Sequence, residues 1–420
     1  MSEAAEGEAR PKPTATGRAA FGFIFVTVLL DMIALGIIIP VLPKLVELFL
    51  NHDTAAAARW FGLFGTVWAL MQFFFSPLFG AISDRFGRRP VILASNFGLA
   101  FDYVLMALAP SLGWLFLGRV ISGITSASVS TSFAYIADVT TPEKRAAGFG
   151  LIGAAFGVGF ILGPAVGGLL GGMDPRLPFW VAAGFSFANA IYGVFILPES
   201  LPRDRRAPFR WRNANPVGSL KLLRANHGLI GLAVINFISQ LAHVVLPVAF
   251  VLYAGYRYNW DAAMVGVTLA IVGACSIVVQ STLIGPFVKR FGERTSALLG
   301  FALGAIGFAI YGLAPTGYLN WIGIPFQAMW GLSNPAIQAL MSRIVSPTEQ
   351  GQLQGANTSV AAIAQIIGPG IFTLTLAWSV GSGVPIALSG APFLLAAAML
   401  AIAGVLAACL IAKPQVSPAA

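Results

Sequence analysis

Residues 80–90 read GAISDRFGRRP, a charged turn between two long apolar runs. Residues 285–295 read GPFVKRFGERT, and five positions match at an offset of 205: Gly80, Arg85, Phe86, Gly87 and Arg89 recur as Gly285, Arg290, Phe291, Gly292 and Arg294. The same offset relates Pro142 to Pro347, Gly150 to Gly355, and Gly163-Pro164 to Gly368-Pro369. A register kept over this distance predicts that the chain consists of two structurally repeated halves.

The composition indicates an integral membrane protein. The 420 residues are 57% hydrophobic and only 10% charged, whereas about 25% is typical of a soluble domain. Apolar runs near the ~20 residues needed to cross hydrocarbon recur throughout. They predict twelve spans: residues 20–42, 58–79, 91–109, 112–136, 146–172, 178–197, 228–253, 262–287, 295–314, 317–342, 352–378 and 388–412. The predicted fold class is therefore all-α, with twelve transmembrane helices in two pseudo-symmetric six-helix bundles.

These spans divide the chain into five predicted parts. We expect a disordered cytoplasmic N-terminus (1–18), a first bundle (19–197), a cytoplasmic central loop (198–226), a second bundle (227–412) and a cytoplasmic tail (413–420). Residues 1–18 do not resemble a signal peptide, so the first span is expected to be retained.

The basic residues behind the net charge of +9 are distributed unequally between the two sides of the membrane. With both termini cytoplasmic, 20 of the 25 Lys and Arg residues fall on the cytoplasmic side and four on the other. This bias follows the positive-inside rule. The positive charge therefore predicts membrane topology, and we expect no nucleic-acid partner.

Three charged residues, Asp31, Asp102 and Arg119, lie near the middle of predicted spans. Each costs about 2.5–3.5 kcal/mol to insert, so each should face a cavity or a partner. We predict that Asp31 carries the coupled proton, because a carboxyl in a changing environment can load and release one. Arg119 is predicted to modulate Asp31 or an acidic relay, and Asp102 is a second proton-coupling candidate. The alternatives are a static Asp–Arg pair joining spans 1 and 4, and a packing role for Asp102.

Two polar stripes predict a substrate cavity. Their spacing places each stripe on one face of its helix. With two further glutamines, the predicted cavity residues are Gln72, Asn236, Gln240, His243, Gln280, Gln327, Asn334 and Gln338. The stripes lie on spans 7 and 10, which, like spans 1 and 4, each begin a three-helix unit. The alternative is ordinary hydrogen bonding between helices.

No catalytic pattern is present in the sequence. There is no phosphate-binding loop that would indicate ATP use. Cys275 and Cys409 both fall in apolar spans, and no His/Cys cluster suggests a metal. We therefore predict a protein that is not an enzyme and has neither cofactor nor metal.

The sequence resembles the major facilitator superfamily over about residues 20–410, specifically its twelve-helix drug:proton antiporters and most of all tetracycline efflux pumps. The signature G-x-x-x-D-R-x-G-R-R is complete at Gly80–Arg89. The antiporter signature of the fifth helix is also complete: Gly150, Gly159, Gly163, Pro164, Gly167 and Gly168. The stretches DMIALGIIIPVLP, ALMQFFFSP, FDYVLMA and LGRVISGITSAS are similar to the first four helices of those pumps.

The resemblance implies proton-coupled efflux of amphipathic small molecules by alternating access, in a monomer of the bacterial inner membrane. Its partners would be substrate, protons and lipid, and the proton gradient would supply the energy. It also implies a latch that joins the halves in the outward-facing state, at Gly80, Asp84, Arg85, Gly87, Arg88, Arg89 and Asp138. The alternative for these residues is a solvated loop that only sets topology.

The chain departs from the tetracycline pumps at two positions. Their helix-9 acid corresponds to Leu303, and a helix-8 histidine corresponds to about Ser276. We therefore expect weak or absent tetracycline export, with a preference for neutral or monocationic lipophiles. Two other functions stay open: a metabolite or sugar symporter or facilitator, and a membrane receptor or sensor that does not transport.

Overall fold

The computed structural model describes residues 15–126, 128–140, 142–206, 220–224, 227–346 and 349–411. The predicted tail and most of the predicted N-terminus and central loop lie outside these ranges. One boundary is corrected: the first helix begins at Ala15, so residues 15–18, expected to be disordered, are helical.

Twelve helical segments follow in chain order, and some consist of two or more pieces. They are α1 (Ala15–Ile38 and Leu42–Phe49), α2 (Thr54–Phe86), α3 (Arg88–Leu108), α4 (Leu112–Thr125 and Ser128–Val139), α5 (Pro142–Met173), α6 (Leu177–Ile196), α7 (His227–His243 and Val245–Tyr258), α8 (Ala262–Val278, the π-helical turn Val279–Leu283 and the first part of Ile284–Leu313), α9 (the remainder of Ile284–Leu313), α10 (Gly317–Met329, the 3₁₀ turn Trp330–Leu332, and Ser333–Ile344), α11 (Gln350–Ser379) and α12 (Ala391–Leu410). Gly292, with φ of +77°, separates α8 from α9. We call α1–α6 the N-half and α7–α12 the C-half.

The predicted fold class is confirmed. Ten helices of the described chain are long and apolar enough to cross a membrane, and one of these, Ala262–Leu313, contains both α8 and α9. The interrupted α10 completes a set consistent with twelve. No strand occurs among the described residues.

The four helices that begin the three-helix units, α1, α4, α7 and α10, are all interrupted. Pro40 lies in the break of α1, and Pro247 lies just beyond the break of α7; proline has no N–H to donate and disrupts the preceding turn. In α4 the hydroxyl of Ser126 donates to the carbonyl of Ser122 at 2.6 Å, a local bond that competes with the helix. Interrupted helices at corresponding positions in two halves are a known pointer to binding sites.

The two halves meet along α2 with α11 and α5 with α8. A Cβ on Gly65 would lie 3.0 Å from Pro369, and one on Gly266 would lie 3.0 Å from the Cα of Gly168. Thr66 also donates to the carbonyl of Ile366 at 3.2 Å. Small residues therefore allow the helices of opposite halves to approach closely.

Close glycine contacts between the halves are not found among the described residues toward the end that carries residues 84–89, which we call the basic end. A Cβ placed there on Gly80, Gly150, Gly285 or Gly351 would meet no atom within 4 Å. These glycines belong to the same four helices that touch near the opposite end. The four helices thus contact each other closely near the opposite end and have open space beside these glycines at the basic end.

Candidate functional site

The Asp31 carboxylate is enclosed in the interior of the N-half, where the residue is 4% exposed. Asn189 of α6 donates to Oδ1 at 2.8 Å, and Ser128 of α4 donates a further hydrogen bond. Asn96 of α3 completes the group: its amide nitrogen faces both carboxylate oxygens at 3.2 and 3.3 Å, while its oxygen accepts from Asn189. None of the ion pairs between described residues includes Asp31.

Uncharged donors from three helices therefore hold this carboxylate, with no cation paired to it. The hydrogen bonds of an ionised carboxyl differ from those of a protonated one. Any change in the positions of α3, α4 and α6 around α1 would alter how well each form is stabilised. The arrangement can couple a proton to helix movement.

Asp102 and Arg119 form a second buried group between α3 and α4. The closest approach of the two charges is 4.0 Å, from Arg119 Nη2 to Asp102 Oδ2. Arg119 also donates to Ser122 at 2.9 Å. Neither oxygen of Asp102 has a well-formed hydrogen bond in the described chain, although the Ser122 hydroxyl lies near this carboxylate. Asp102 is fully buried.

This geometry decides between the predicted partners of Arg119. The guanidinium pairs with Asp102 and not with Asp31, so direct pairing with Asp31 and the static Asp–Arg pair joining spans 1 and 4 are both wrong, whereas a part in an acidic relay stays a prediction. The pair joins α3 to α4 instead. Sequence position alone did not show that side chains of α3, α4 and α6 surround the Asp31 carboxylate.

The predicted latch residues form a cluster at the basic end of the N-half. Arg88 contacts Asp84 at 2.6 Å and Asp138 of α4 at 3.0 Å. Its backbone N–H donates to Glu199, at the start of the central loop, at 2.8 Å. These contacts are made within the N-half or with the start of the central loop, so the cluster does not bridge the halves in this structure.

The remaining latch residues surround that cluster. Gly87 has φ of +109°, and a Cβ there would collide with the Glu199 carboxylate, so glycine is required. Arg85 is exposed and lies 5.2 Å from the ring of Phe86. Arg89 donates to the carbonyl of Val194 at the end of α6.

The C-half carries a copy of this cluster in which the charges are reversed. At the offset of 205, Asp84, Arg88 and Asp138 correspond to Lys289, Glu293 and Arg343. Glu293 and Arg343 form an ion pair, as Arg88 and Asp138 do in the N-half. The pair is therefore repeated in the structure with its polarity exchanged.

The glycines of the antiporter signature face different neighbours. A Cβ on Gly159 or Gly163 would press on the backbone of α1, within 2.9 Å of Met32 or 2.5 Å of Gly36, and Gly167 also faces α1. Gly168, in contrast, packs on Ala262 and Gly266 of α8. Pro164 lies between these contacts, and Gly150 faces open space. The signature thus holds α5 against α1 and against the C-half.

The predicted cavity residues separate into two groups. His243, Gln280 and Asn334 are exposed, and Gln72, Gln240 and Gln338 are half-buried. Gln338 donates to Asn334 at 2.9 Å. These side chains remain candidates for contact with substrate.

Two predicted cavity residues are buried between helices instead. Asn236 is 3% exposed and donates to Asn357 of α11 at 3.4 Å. Gln327 is 6% exposed and packs on Gly307 of α9. The 3₁₀ turn Trp330–Leu332 changes the helical register, which is why Gln327 does not share a face with Asn334.

Several residues of these groups were not predicted. Asn96 and Asn189 are single amides within apolar helices, a signal that intramembrane polarity could have provided. Trp330 lies at the interruption of α10, with its ring 5.4 Å from that of His243. Within the described residues, no cluster of three His, Cys, Asp or Glu could hold a metal.

Two repeated helical bundles, helices interrupted at corresponding positions of both and ionisable groups buried inside one half are together typical of a secondary transporter. Residues 24–369 and 232–420 match the family model of the Major Facilitator Superfamily. The chain belongs to this superfamily, which confirms the prediction of a multi-pass membrane transporter and not an enzyme.

Relatives support the finer resemblance. The chain is 39% identical to the tetracycline resistance protein, class C, of Escherichia coli over 368 residues, covering 85% of this chain and 92% of that protein. It is 38% identical to the class G protein of Vibrio anguillarum, covering 84% and 89%. The crystal structure of the nucleoside transporter NupG has a TM-score of 0.77 at 14% identity, covering 94% of this chain and 99% of that one, which shows the shared fold.

The two departures from tetracycline pumps lie within the C-half. Leu303 is half-buried in α9. Ser276 of α8 donates to the carbonyl of Val272 in its own helix at 2.8 Å. Neither position supplies an ionisable group.

Proposed function

We propose that the protein exports amphipathic small molecules, including drugs, in exchange for protons by alternating access. The observation that carries this proposal is the Asp31 carboxylate, which is buried in the N-half among amide and hydroxyl donors and has no paired cation among the described residues. Movement of the surrounding helices between two states would change its proton affinity, which is what an exchanger requires.

Drug export is supported by the relatives, whose names describe tetracycline resistance. Their similarity covers most of this chain, and the complete antiporter signature of α5 agrees with exchange in preference to symport. No described feature favours a receptor.

The direction of transport follows from topology. The 20-to-4 bias of Lys and Arg supports a cytoplasmic basic end and cytoplasmic termini, in a bacterial inner membrane. The structure then corresponds to the inward-facing state, ready to receive substrate from the cytoplasm. The cluster of Arg88, Asp84 and Asp138 would contact the C-half only after the basic end closes.

The proposed machinery needs no cofactor or second subunit. A potential of 100 mV supplies about 2.3 kcal/mol for each charge moved. Asp31 would carry the proton, and the Asp102–Arg119 pair would act as a relay or fix α3 against α4. Because Leu303 and Ser276 offer no charge, we expect weak tetracycline export.

Asp31→Asn tests this function. In proteoliposomes with a pH dye inside and labelled substrate, the wild-type protein should concentrate substrate against its gradient with counterflow of protons. Asp31→Asn should abolish this uphill transport while retaining exchange of substrate down its gradient. Asp174→Asn, in the exposed turn between α5 and α6, is the control. Uphill, proton-driven export by Asp31→Asn would exclude Asp31 as the carrier.

A further inference from the structure

Three helices of the C-half lose regular α-helical geometry at one level of the molecule. α7 breaks at Val244, α8 contains the π-helical turn Val279–Leu283, and α10 contains the 3₁₀ turn Trp330–Leu332. The interruptions are neighbours in space. The rings of His243 and Trp330 are 5.4 Å apart, and a Cβ on Gly331 would lie 4.0 Å from the side chain of Gln280. Both π-turns and paired helix interruptions are frequent at functional sites.

The His243 side chain is exposed, whereas its neighbours in α7, Ala242 and Val244, are fully buried. Trp330 is only 8% exposed. Its indole donates to Ser239 at 3.2 Å and its ring lies 5.8 Å from Phe308. Trp330 is therefore held in a fixed position beside the imidazole, and the His243 side chain stays exposed.

Uncharged amides lie on the three interrupted helices. They are Gln240 on the same helix as His243, Gln280 on the π-turn, and the hydrogen-bonded pair Gln338 and Asn334 on α10. Amides can both donate hydrogen bonds to a ligand and accept them from it. The site thus combines an aromatic face with several adaptable hydrogen-bonding groups.

The charges of the membrane interior are not available to a ligand at this site. Asp31 and Asp102 are 4% and 0% exposed, and the Arg119 guanidinium is directed to Asp102 and Ser122. A cationic ligand would therefore lose hydration without gaining a carboxylate partner, which is costly in a buried place. An uncharged ligand avoids that cost.

We infer that the substrate site lies in the C-half, and that it takes an uncharged, planar aromatic molecule which stacks on His243 and bonds through its polar edge to the surrounding amides. The two halves then have different tasks: the N-half holds the proton and the C-half holds the substrate. This inference deepens the proposed export function and rests on it for the identity of the ligand as a substrate.

Binding of three dyes to the purified protein in lipid nanodiscs tests the inference. Acridone, N-methylacridinium and acridine-9-carboxylate share one three-ring plane and carry charges of about 0, +1 and −1 at neutral pH, far from the pKa of a carboxyl group. Dissociation constants come from dye fluorescence anisotropy, with empty nanodiscs subtracted. Acridone should bind at least roughly tenfold more tightly than either ion, a difference of about 1.4 kcal/mol.

Variants of the ring identify the site. His243→Leu should weaken acridone binding by roughly tenfold or more, because it removes an aromatic stacking contact. His243→Phe, which retains a planar ring, should stay within roughly threefold of the wild-type protein. His52→Asn, at the exposed turn between α1 and α2, should have no effect and serves as the matched control.

Three results would overturn the inference: equal or tighter binding of N-methylacridinium, unchanged acridone binding in His243→Leu, or no binding of acridone by the wild-type protein. Because the assay uses no gradient, it is independent of proton coupling. If Asp31→Asn loses uphill export while His243→Leu binds acridone normally, the export function stands and this site fails. If the dye pattern is found without proton exchange, the site stands and the exchange function fails.

Discussion

Asp31 and Asp102 are buried carboxylates of the same half, and they differ in what surrounds them. Uncharged donors alone hold Asp31, whereas Asp102 faces Arg119 at 4.0 Å and has no well-formed hydrogen bond in the described chain. A carboxyl without a counter-ion is suited to exchange a proton. One beside a fixed cation is suited to join two helices.

The pairing of Asp102 with Arg119 predicts strong coupling between their substitutions. Arg119→Met should lower the free energy of unfolding by about 3–5 kcal/mol, because it leaves Asp102 buried and unpaired. Adding Asp102→Asn to that variant should recover part of the loss. SDS titration of the purified variants measures this, with the exposed Arg59→Met as control. Additive losses in the double variant would contradict the pairing.

At this scale the sequence predicted which charges matter but not their partners. Asp31, Asp102 and Arg119 were identifiable because a charge in hydrocarbon is costly. Asn96 and Asn189 are also polar residues in apolar helices, but an isolated amide is compatible with any interhelical bond, so their contact with Asp31 was not predictable. The direction of Asp31 depends on how α1 is rotated against α3 and α6, which no local pattern specifies.

Some glycines of α5 pack tightly on a neighbouring helix, and others face open space. Replacing a glycine by alanine is therefore predicted to lower the stability at the first kind and not at the second. Gly163→Ala would press a Cβ within 2.5 Å of the Cα of Gly36, so stability should fall by about 1–3 kcal/mol. Gly150→Ala meets no atom within 4 Å and gains about 1 kcal/mol of helix propensity. The Gly150→Ala protein should therefore unfold at a temperature no lower than that of the wild-type protein.

Gly150→Ala should nevertheless slow transport, because closure of the basic end would bring α5 against α8 at this level. Thermal unfolding and export rates of the two variants separate these effects. A Gly163→Ala protein of wild-type stability, or a Gly150→Ala protein that transports at the full rate, would show that the glycines do not act through helix approach.

The helices themselves were predictable, because runs of about 20 apolar residues can do little else in a bilayer. Their interruptions were less so. Pro247 gives a signal for the break in α7, but the 3₁₀ turn of α10 and the π-turn of α8 contain no proline. Pro335 and Pro286 lie just beyond those turns, four residues after Gly331 and Thr282, and a proline cannot donate to the carbonyl four residues before it; the sequence does not specify which kind of turn results.

For the whole molecule, the charge-reversed clusters at the basic end show that the halves are similar in structure and different in chemistry. Both halves have an ion pair with their fourth helix: Arg88 with Asp138 in the N-half, and Glu293 with Arg343 in the C-half, where the cation and the anion are exchanged. Only the N-half cluster has an acid, Asp84, at the position where the C-half has Lys289. We therefore expect that the position of the cation and the anion within the pair affects export in the N-half cluster and not in the C-half cluster.

Exchange of the paired residues tests this expectation. Glu293→Arg with Arg343→Glu keeps an ion pair and should leave export near the wild-type rate. Arg88→Asp with Asp138→Arg also keeps a pair but removes the cation from Asp84. Export should then fall by roughly tenfold or more, the factor that about 1.4 kcal/mol produces. Equal losses in both double variants would mean that the clusters have the same task.

The repeat in the sequence predicted two halves, yet it could not predict their division of tasks. Offset matches identify equivalent positions, whereas the tasks depend on residues that differ between the halves. The buried carboxylates have no acidic counterparts in the C-half: Asp31 corresponds to Asn236, and Asp102 corresponds to Gly307. Because neither counterpart has a side chain that can carry a proton, only the N-half can bind the coupled proton at these positions.

The central claim is that the N-half carries the proton and the C-half holds the substrate. Counting the protons released when a ligand binds tests this claim most directly. Purified protein in weakly buffered detergent solution with a pH dye is mixed with acridone, and released protons are counted per bound dye. The wild-type protein should release protons on binding. Asp31→Asn should bind acridone and release none, and His243→Leu should do neither at the same dye concentration. Undiminished proton release by Asp31→Asn would contradict the account.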